Sequence, residues 1–264
     1  MKALIKNLKN ILRPLKRQLE NYLPRNMNIN SATAQVYLGG DFETRYTLTN
    51  FPSLFSPSTA YKCIYDIALY NELGYCIGRN SINIAPFGSA EIIPSEVFGK
   101  NLPNLGIFTA KIRSSSRFVL SDRHLGKITS QIYALYSDKK INSLALVHPQ
   151  TSLVKNHSNP TQWKSDVLLD SGKIEKLIAI QINPTNKCSE STLYLCKDNG
   201  YQQKIGEVSS KISPLGVIKV EWDIKKIGIK NGYFSIAANK LTSPNAKPII
   251  LAYFKNGSFS GMHA

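Results

Sequence analysis

Histidine is the residue type in this chain best suited to acid–base chemistry, because its ordinary pKa lies close to neutral pH. The weak candidates for a catalytic role are His124, His148 and His263. His124 follows a polar run and is expected in a solvated turn. His148 and His263 end two corresponding segments, so they are either paired ligand sites or positions inherited from one ancestral unit. A general base acting on a glycan or another anionic substrate is the enzymatic hypothesis that they support.

Three carboxylates cluster in the segment KSDVLLDSGKIEK: Asp166, Asp170 and Glu175. A calcium site needs more oxygen ligands at closer spacing. A charged strand and turn is the simpler interpretation. We therefore expect no metal site and no cofactor.

The sequence motifs of several common enzyme classes are missing. The segment Gly257–Gly261 reads GSFSG and places Phe259 where a nucleophile elbow needs serine. No phosphate-binding G-x-x-x-x-G-K-[ST], dinucleotide-binding G-x-G-x-x-G or zinc-binding H-E-x-x-H sequence occurs. These observations favour a non-enzymatic protein, with catalysis kept as the alternative.

Cysteine usage indicates the redox compartment. Cys63, Cys76, Cys188 and Cys196 contain no C-x-x-C pair, so their spacing does not predict a zinc site. Sparse cysteines are typical of buried thiols in a reducing compartment, which favours the cytoplasm. A Cys188–Cys196 bridge across a hairpin is the alternative.

Tyrosines provide a further candidate binding feature. Tyr61, Tyr65 and Tyr70, together with Tyr133 and Tyr136, would form either a platform on one sheet face or part of the core. Exposed tyrosines next to Lys and Arg can stack on sugars or bases. A glycan is therefore a candidate ligand.

The formal net charge of +16 favours anionic partners. Residues 1–32 are the densest part, with seven Lys or Arg and one acidic residue. Three partner classes follow: an anionic membrane surface, an acidic glycan, and nucleic acid. Nucleic acid is the weakest of them, because no nucleic-acid-binding motif accompanies the charge.

Residues 1–24 have the pattern of a basic amphipathic helix. Pro14 should kink it, and Pro24 should help to end it. Such a helix lies on an anionic membrane surface, docks on a partner helix or packs on the chain's own sandwich. The residues expected to make these contacts are Lys2, Leu4, Ile5, Lys6, Leu8, Lys9, Ile11, Leu12, Arg13, Leu15, Lys16, Arg17 and Leu19. No run of about 18 apolar residues predicts a transmembrane helix, so the expected location is cytoplasmic, including the inner membrane face.

From residue 33 the apolar period changes from 3.6 to 2, which is typical of short strands. Segments of the first half also recur in the second. INIAPFGSAEI, residues 82–92, resembles KISPLGVIKV, residues 211–220. LGIFTAKI, residues 105–112, resembles NGYFSIAA, residues 231–238. The order of these matches predicts an internal duplication.

The predicted fold is therefore all-β: two tandem, internally duplicated antiparallel β-sandwiches of Ig-like or jelly-roll-like type, preceded by the basic helix. The predicted boundaries are 1–24 for the helix, 25–32 for a linker, 33–148 for the first sandwich, 149–165 for a second linker and 166–264 for the second sandwich. The predicted function is a binding or scaffold protein that presents loops or strand edges to a glycan or a protein partner. A homo-oligomer is compatible with exposed strand edges.

Overall fold

The structure is a computed structural model, and it describes residues 32–50, 53, 63–113, 132–148, 151–152, 162–165, 167–198, 202–229, 232–242 and 246–263. The predicted helix over residues 1–24 lies outside the described residues. The same holds for the predicted linker over 25–32, apart from Ala32.

The described part of the chain is all-β, with 64% of its residues in strands and 3% in helix. One short helix, α1, spans Pro94–Phe98. The strands are β1 Thr33–Leu38, β2 Phe42–Thr49, β3 Cys63–Asn71, β4 Cys76–Ile84, β5 Ser89–Ile92, β6 Leu105–Arg113, β7 Ile132–Asp138, β8 Ser143–Val147, β9 Thr151–Ser152, β10 Trp163–Lys164, β11 Leu169–Asp170, β12 Ile174–Ile182, β13 Ser189–Asp198, β14 Gln202–Ile212, β15 Val217–Asp223, β16 Tyr233–Lys240, β17 Ile249–Phe254 and β18 Phe259–His263.

These strands form four small antiparallel sheets. Sheet 1 has the order β4-β3-β6-β1-β9, and sheet 2 has the order β5-β2-β7-β8. Sheet 3 has the order β10-β16-β13-β14, with β11 also paired to β16. Sheet 4 has the order β15-β12-β17-β18. The four sheets are arranged as the blades of a four-bladed β-propeller.

The prediction of two Ig-like or jelly-roll-like sandwiches is therefore wrong. The larger hydrophobic cluster contains side chains from sheets 1, 2 and 4, so residues from both halves of the chain share one core. Short strands separated by turns occur in sandwiches and in propellers alike. The periodicity identified strands, but it did not determine which sheets face each other.

Strand β12 shows how the halves are joined. All six residues from Leu177 to Ile182 are buried, so both faces of the strand are covered. Ile178 and Ile180 belong to the larger cluster, whereas Leu177 and Ala179 belong to the second cluster. A strand at the surface of a sandwich would alternate between buried and exposed positions.

The same strand order occurs in both halves. The hairpin β3–β4 leads into β5 of the neighbouring sheet, and the hairpin β13–β14 leads into β15. In each half, the connection between these two strands contains a tight turn at which a non-glycine residue has positive φ. This residue is Phe87, with φ 59°, between β4 and β5, and Leu215, with φ 54°, between β14 and β15.

One asparagine per half holds this turn in place. The Asn50 side-chain amide donates to the carbonyl oxygen of Ala85 at 3.0 Å. The Asn183 amide donates to the carbonyl oxygen of Ser213 at 2.9 Å. Asn50 directly follows β2, and Asn183 directly follows β12. The two asparagines are therefore equivalent positions, from which residues of sheet 2 and sheet 4 can be matched.

A second close contact between the halves involves the turn after β3. The Val217 backbone N–H donates to the Glu72 carbonyl oxygen at 3.0 Å. Gly74 has φ 84°, and a Cβ atom there would clash with the carbonyl oxygen of Pro214. Glycine is needed at this position for its backbone conformation and for the close approach of the other half.

Candidate functional site

The candidate site is an open groove on the outer face of sheet 1. Strand β3 supplies its floor, because Ile67 and Leu69 are buried in the core while Tyr70 is only partly buried. The groove has a volume of about 670 Å³. Its lining residues are Ala32, Asp66, Ile67, Ala68, Tyr70, Arg79, Asn80, Ser81, Thr109 and Lys111.

Cross-strand register sets the order of the polar groups at one end of the groove. Asp66 on β3 lies opposite Ser81 on β4 and opposite Lys111 on β6. The Ser81 hydroxyl donates a hydrogen bond of 2.8 Å to the Asp66 carboxylate. A hydroxyl, a carboxylate and an ammonium group therefore stand in one row across three strands.

The next row is built around Tyr70. The side chains of Arg79 and Thr109 lie beside the Tyr70 hydroxyl. Burial raises the pKa of this phenol further above its ordinary value, at which tyrosine is already neutral at neutral pH. The neighbouring Cys76 raises the pKa of Arg79, and Tyr70 adds to this effect, so the guanidinium stays charged.

This arrangement is suited to binding a ligand that carries both hydroxyl and anionic groups. The aromatic ring of Tyr70 offers an apolar surface with a polar end. Arg79 presents a planar array of donors that matches carboxylate and sulfate groups. In the described part of the chain, no group of three or more His, Cys, Asp or Glu side chains is placed to hold a metal ion.

Two other cavities are less suited to specific recognition. One of about 770 Å³ lies between the halves, and apart from Glu72 and Lys219 its lining is uncharged. The other, of about 490 Å³, is lined by cations and carboxylates that include the ion-paired Arg45 and Glu43, 2.7 Å apart. Among these three cavities, the sheet 1 groove alone combines a partly exposed tyrosine on β3 with one cation on each of the two strands hydrogen-bonded to β3, which are β4 and β6.

Of the histidines named from the sequence, His148 has a described side chain, and it is not among the residues that line this groove. His124 lies outside the described residues. His148 is exposed just after β8, and its carbonyl oxygen accepts a 3.0 Å hydrogen bond from the buried Gln35 side chain. The backbone of His263 pairs with Ile249 at the end of β18. The enzymatic alternative that rests on these residues stays a hypothesis.

The carboxylates of the second half have local roles where the structure describes them. The Asp170 carboxylate accepts the Gly172 backbone N–H at 2.8 Å and lies 3.9 Å from the Lys173 ammonium group. Glu175 accepts the Ile224 N–H through its main-chain carbonyl. Asp166 lies outside the described residues. Asp170 thus supports a turn, in agreement with the simpler interpretation of this cluster.

The tyrosines separate into two groups. Tyr65 and Tyr136 are buried in the larger hydrophobic cluster, whereas Tyr70 lies in the groove and Tyr133 is partly exposed on sheet 2. Tyr61 lies outside the described residues. Sequence reasoning missed Arg79 and Lys111 as partners of Tyr70, because their proximity depends on the pairing of β3 with β4 and β6.

All four cysteines are free thiols, and two of them, Cys63 and Cys196, are buried. Cys76 and Cys188 are exposed, which corrects the expectation that the thiols are buried. The residues expected to bind a membrane or a partner, Lys2 to Leu19, lie outside the described residues, so that interaction stays a prediction. Within the described ranges, no helix is both long enough and apolar enough to cross a membrane.

No protein-family profile matches the chain, and no curated protein sequence matches it.

Proposed function

We propose that this protein is a non-enzymatic binding protein whose sheet 1 groove holds an anionic oligosaccharide. The observation that carries the proposal is the placement of Tyr70, Arg79 and Lys111 on three neighbouring strands around one open groove. The lining holds two cations, Arg79 and Lys111, against one carboxylate, Asp66, so the groove carries a net positive charge beside a tyrosine ring and hydroxyl groups, which suits an acidic sugar.

The spacing of the two cations favours an oligomer over a single sugar. On β3, Ala68 lies opposite Arg79 of β4, and Asp66 lies opposite Lys111 of β6. The two cations are therefore separated by two strand spacings across the sheet and by two residues along the strand direction. With neighbouring strands about 4.8 Å apart and a rise of about 3.4 Å per residue, their Cβ atoms are roughly 12 Å apart. This distance is longer than one pyranose ring, so each cation would meet a different sugar.

The rigidity of the groove also supports binding. Its side chains stand on the hydrogen-bonded strands β3, β4 and β6, so little backbone ordering is needed when a ligand binds. Because Arg79 and Lys111 are open to solvent, their attraction for an anion should weaken as the salt concentration rises.

The first test is isothermal titration calorimetry of the full chain with a heparin-derived hexasaccharide. The double substitution R79Q/K111Q should raise the Kd by roughly ten-fold or more. The matched control K187Q/K211Q removes the same charge at two exposed lysines outside the groove, and should leave the Kd within about two-fold. The substitution Tyr70→Ala should also weaken binding, because it removes the apolar ring surface and the polar hydroxyl group that the tyrosine offers to a sugar.

Three results would contradict the proposal. Equal losses in the two double variants would mean that the hexasaccharide responds only to the overall positive charge. Equally tight binding of an uncharged maltohexaose would remove the role of the cations. Tighter binding of a single-stranded oligonucleotide, with the same loss in R79Q/K111Q, would favour the nucleic-acid alternative.

A further inference from the structure

An apolar strip on the outer face of sheet 2 is exposed to solvent. Leu144 and Leu146 on the edge strand β8 are 59% and 66% exposed, although both are large apolar side chains. Leu146 lies opposite Leu135 on β7, which is partly buried. Together with Tyr133 on β7, these residues form what we call the β7–β8 strip.

The corresponding face of sheet 4 is covered by this same chain. Arg45 and Ile178 each lie five residues before the equivalent asparagines Asn50 and Asn183, so they occupy the same face of their sheets. On sheet 4 this face carries Ile178, Leu251 and Phe259, and all three lie in the cluster shared with the first half.

Specific contacts show how sheet 4 is covered. The Phe259 ring lies 6.2 Å from the Phe42 ring of β2, and the Tyr253 hydroxyl donates to the Asp138 carboxylate at 2.7 Å. On sheet 2 the equivalent face has no such cover at Leu144 and Leu146. The β7–β8 strip is thus apolar like the corresponding face of sheet 4. The face of sheet 4 packs against the first half of the chain, whereas Leu144 and Leu146 of the strip stay exposed.

The polar half of this face is self-complementary in charge. Arg45 on β2 lies 2.7 Å from Glu43 and 3.5 Å from Glu91, and all three side chains are partly exposed. Across a two-fold axis, Arg45 of one copy can approach Glu91 of the other. A face that holds both signs next to an apolar strip fits a second copy of itself.

We propose that the outer face of sheet 2 is an isologous dimer interface, in which the β7–β8 strips of two copies pack together. The face is four strands wide, about 19 Å, and one strand length high, about 17–20 Å. Its area of roughly 350 Å² is below the approximately 800 Å² per partner of a standard interface. The dimer is therefore weak, and it forms only as the protein concentration rises.

Sedimentation velocity of the full chain over a concentration series tests this interface. The native protein should shift from monomer to dimer as its concentration rises. Leu146→Asp should raise the dimer Kd by roughly ten-fold or more, because two carboxylates would face each other across the axis. The control Leu168→Asp makes the same change at a leucine that is 50% exposed in the second half, and it should dimerise like the native protein.

A mixing experiment makes the test independent of the folding of any one variant. Because the interface is isologous, Leu146→Asp mixed with Leu146→Lys should form heterodimers more strongly than either variant alone forms homodimers. A native protein that stays monomeric at every concentration would overturn the proposal. So would equal effects of Leu146→Asp and Leu168→Asp, or a mixture that associates no better than its components.

Discussion

At the scale of single residues, the carbonyl oxygen of Val36 accepts two side-chain hydrogen bonds inside the core. The hydroxyl groups of Tyr46 and Tyr136, both on sheet 2, donate to it at 2.7 Å and 2.9 Å. Tyr46 also stacks on Phe108 of sheet 1, with ring centroids 4.1 Å apart. Two buried aromatic side chains thus fix the position of sheet 2 against strand β1.

We expect Tyr46→Phe and Tyr136→Phe each to lower the free energy of unfolding by about 1 kcal/mol, the usual worth of one such hydrogen bond. The double variant should cost more than the sum, because each single variant leaves one hydroxyl on the Val36 carbonyl. Urea unfolding followed by circular dichroism measures these values. The control Tyr75→Phe removes an exposed hydroxyl, and single core variants as stable as this control would contradict the prediction.

The same residues show what the sequence could predict at this scale. The period-two pattern that begins at residue 33 predicted short strands, and the structure places Ile67 and Leu69 on the buried face of one of them, β3. From the sequence, Tyr65, Tyr70 and Tyr136 were equally candidates for the core or for an exposed sheet face. The packing of the sheets shows that Tyr65 and Tyr136 are buried and that Tyr70 lies in the groove. A tyrosine suits either environment, since it has an apolar ring and a polar end.

At the scale of elements, the turn between β3 and β4 joins the two halves through close backbone packing. Gly74 combines a positive φ of 84° with an approach to Pro214 that leaves no room for a Cβ atom. Gly228 has a similar φ of 73° but no atom within 4 Å of the corresponding Cβ position. The two glycines therefore share the backbone conformation and differ in the close contact.

Gly74→Ala should consequently destabilise the protein more than Gly228→Ala does. Each substitution carries the cost of a left-handed conformation, about 1–2 kcal/mol, and only Gly74→Ala adds a clash between the halves. Differential scanning calorimetry of both variants measures the extra destabilisation caused by the clash, which should appear as a lower Tm for Gly74→Ala than for Gly228→Ala. Equal Tm values would show that the turn does not pack against Pro214 as described.

Element pairing explains why the fold class was predicted incorrectly. The uninterrupted apolar run Leu177–Ile180 in β12 is a signal that both faces of a strand are buried. The sequence did not show that one of these faces meets the first half of the chain. The recurrence of Pro86-Phe87-Gly88 as Pro214-Leu215-Gly216 was readable, and the structure places both segments in equivalent turns.

At the scale of the whole molecule, buried tyrosines link stability to alkaline pH. Burial raises the pKa of Tyr46 and of Tyr136 well above the ordinary value of 10.0, and burial likewise raises the pKa of Tyr65. The folded state then retains protons that the unfolded state loses above about pH 10. The stability contributed by the neutral phenols is fully present below that pH and is lost progressively as the pH rises from there toward the raised pKa values of the folded state.

We therefore expect the free energy of unfolding to fall above about pH 10, by up to about 1.4 kcal/mol per pH unit for each buried tyrosine. Urea unfolding at successive pH values, with tyrosinate absorbance as a second readout, measures this slope. The double variant Y46F/Y136F lacks two of the titrating groups and should show a shallower slope. Tyrosinate absorbance from these residues in the still-folded protein would contradict the expectation.

The central claim concerns where an acidic oligosaccharide binds on this molecule. The most direct measurement is nuclear magnetic resonance mapping of backbone amide shifts in the full chain during titration with the heparin-derived hexasaccharide. We expect saturable shifts on β3, β4 and β6 around Tyr70, Arg79 and Lys111, with little change on the outer face of sheet 2. Shifts spread over lysines on all four sheets, or confined to a different sheet, would contradict the account.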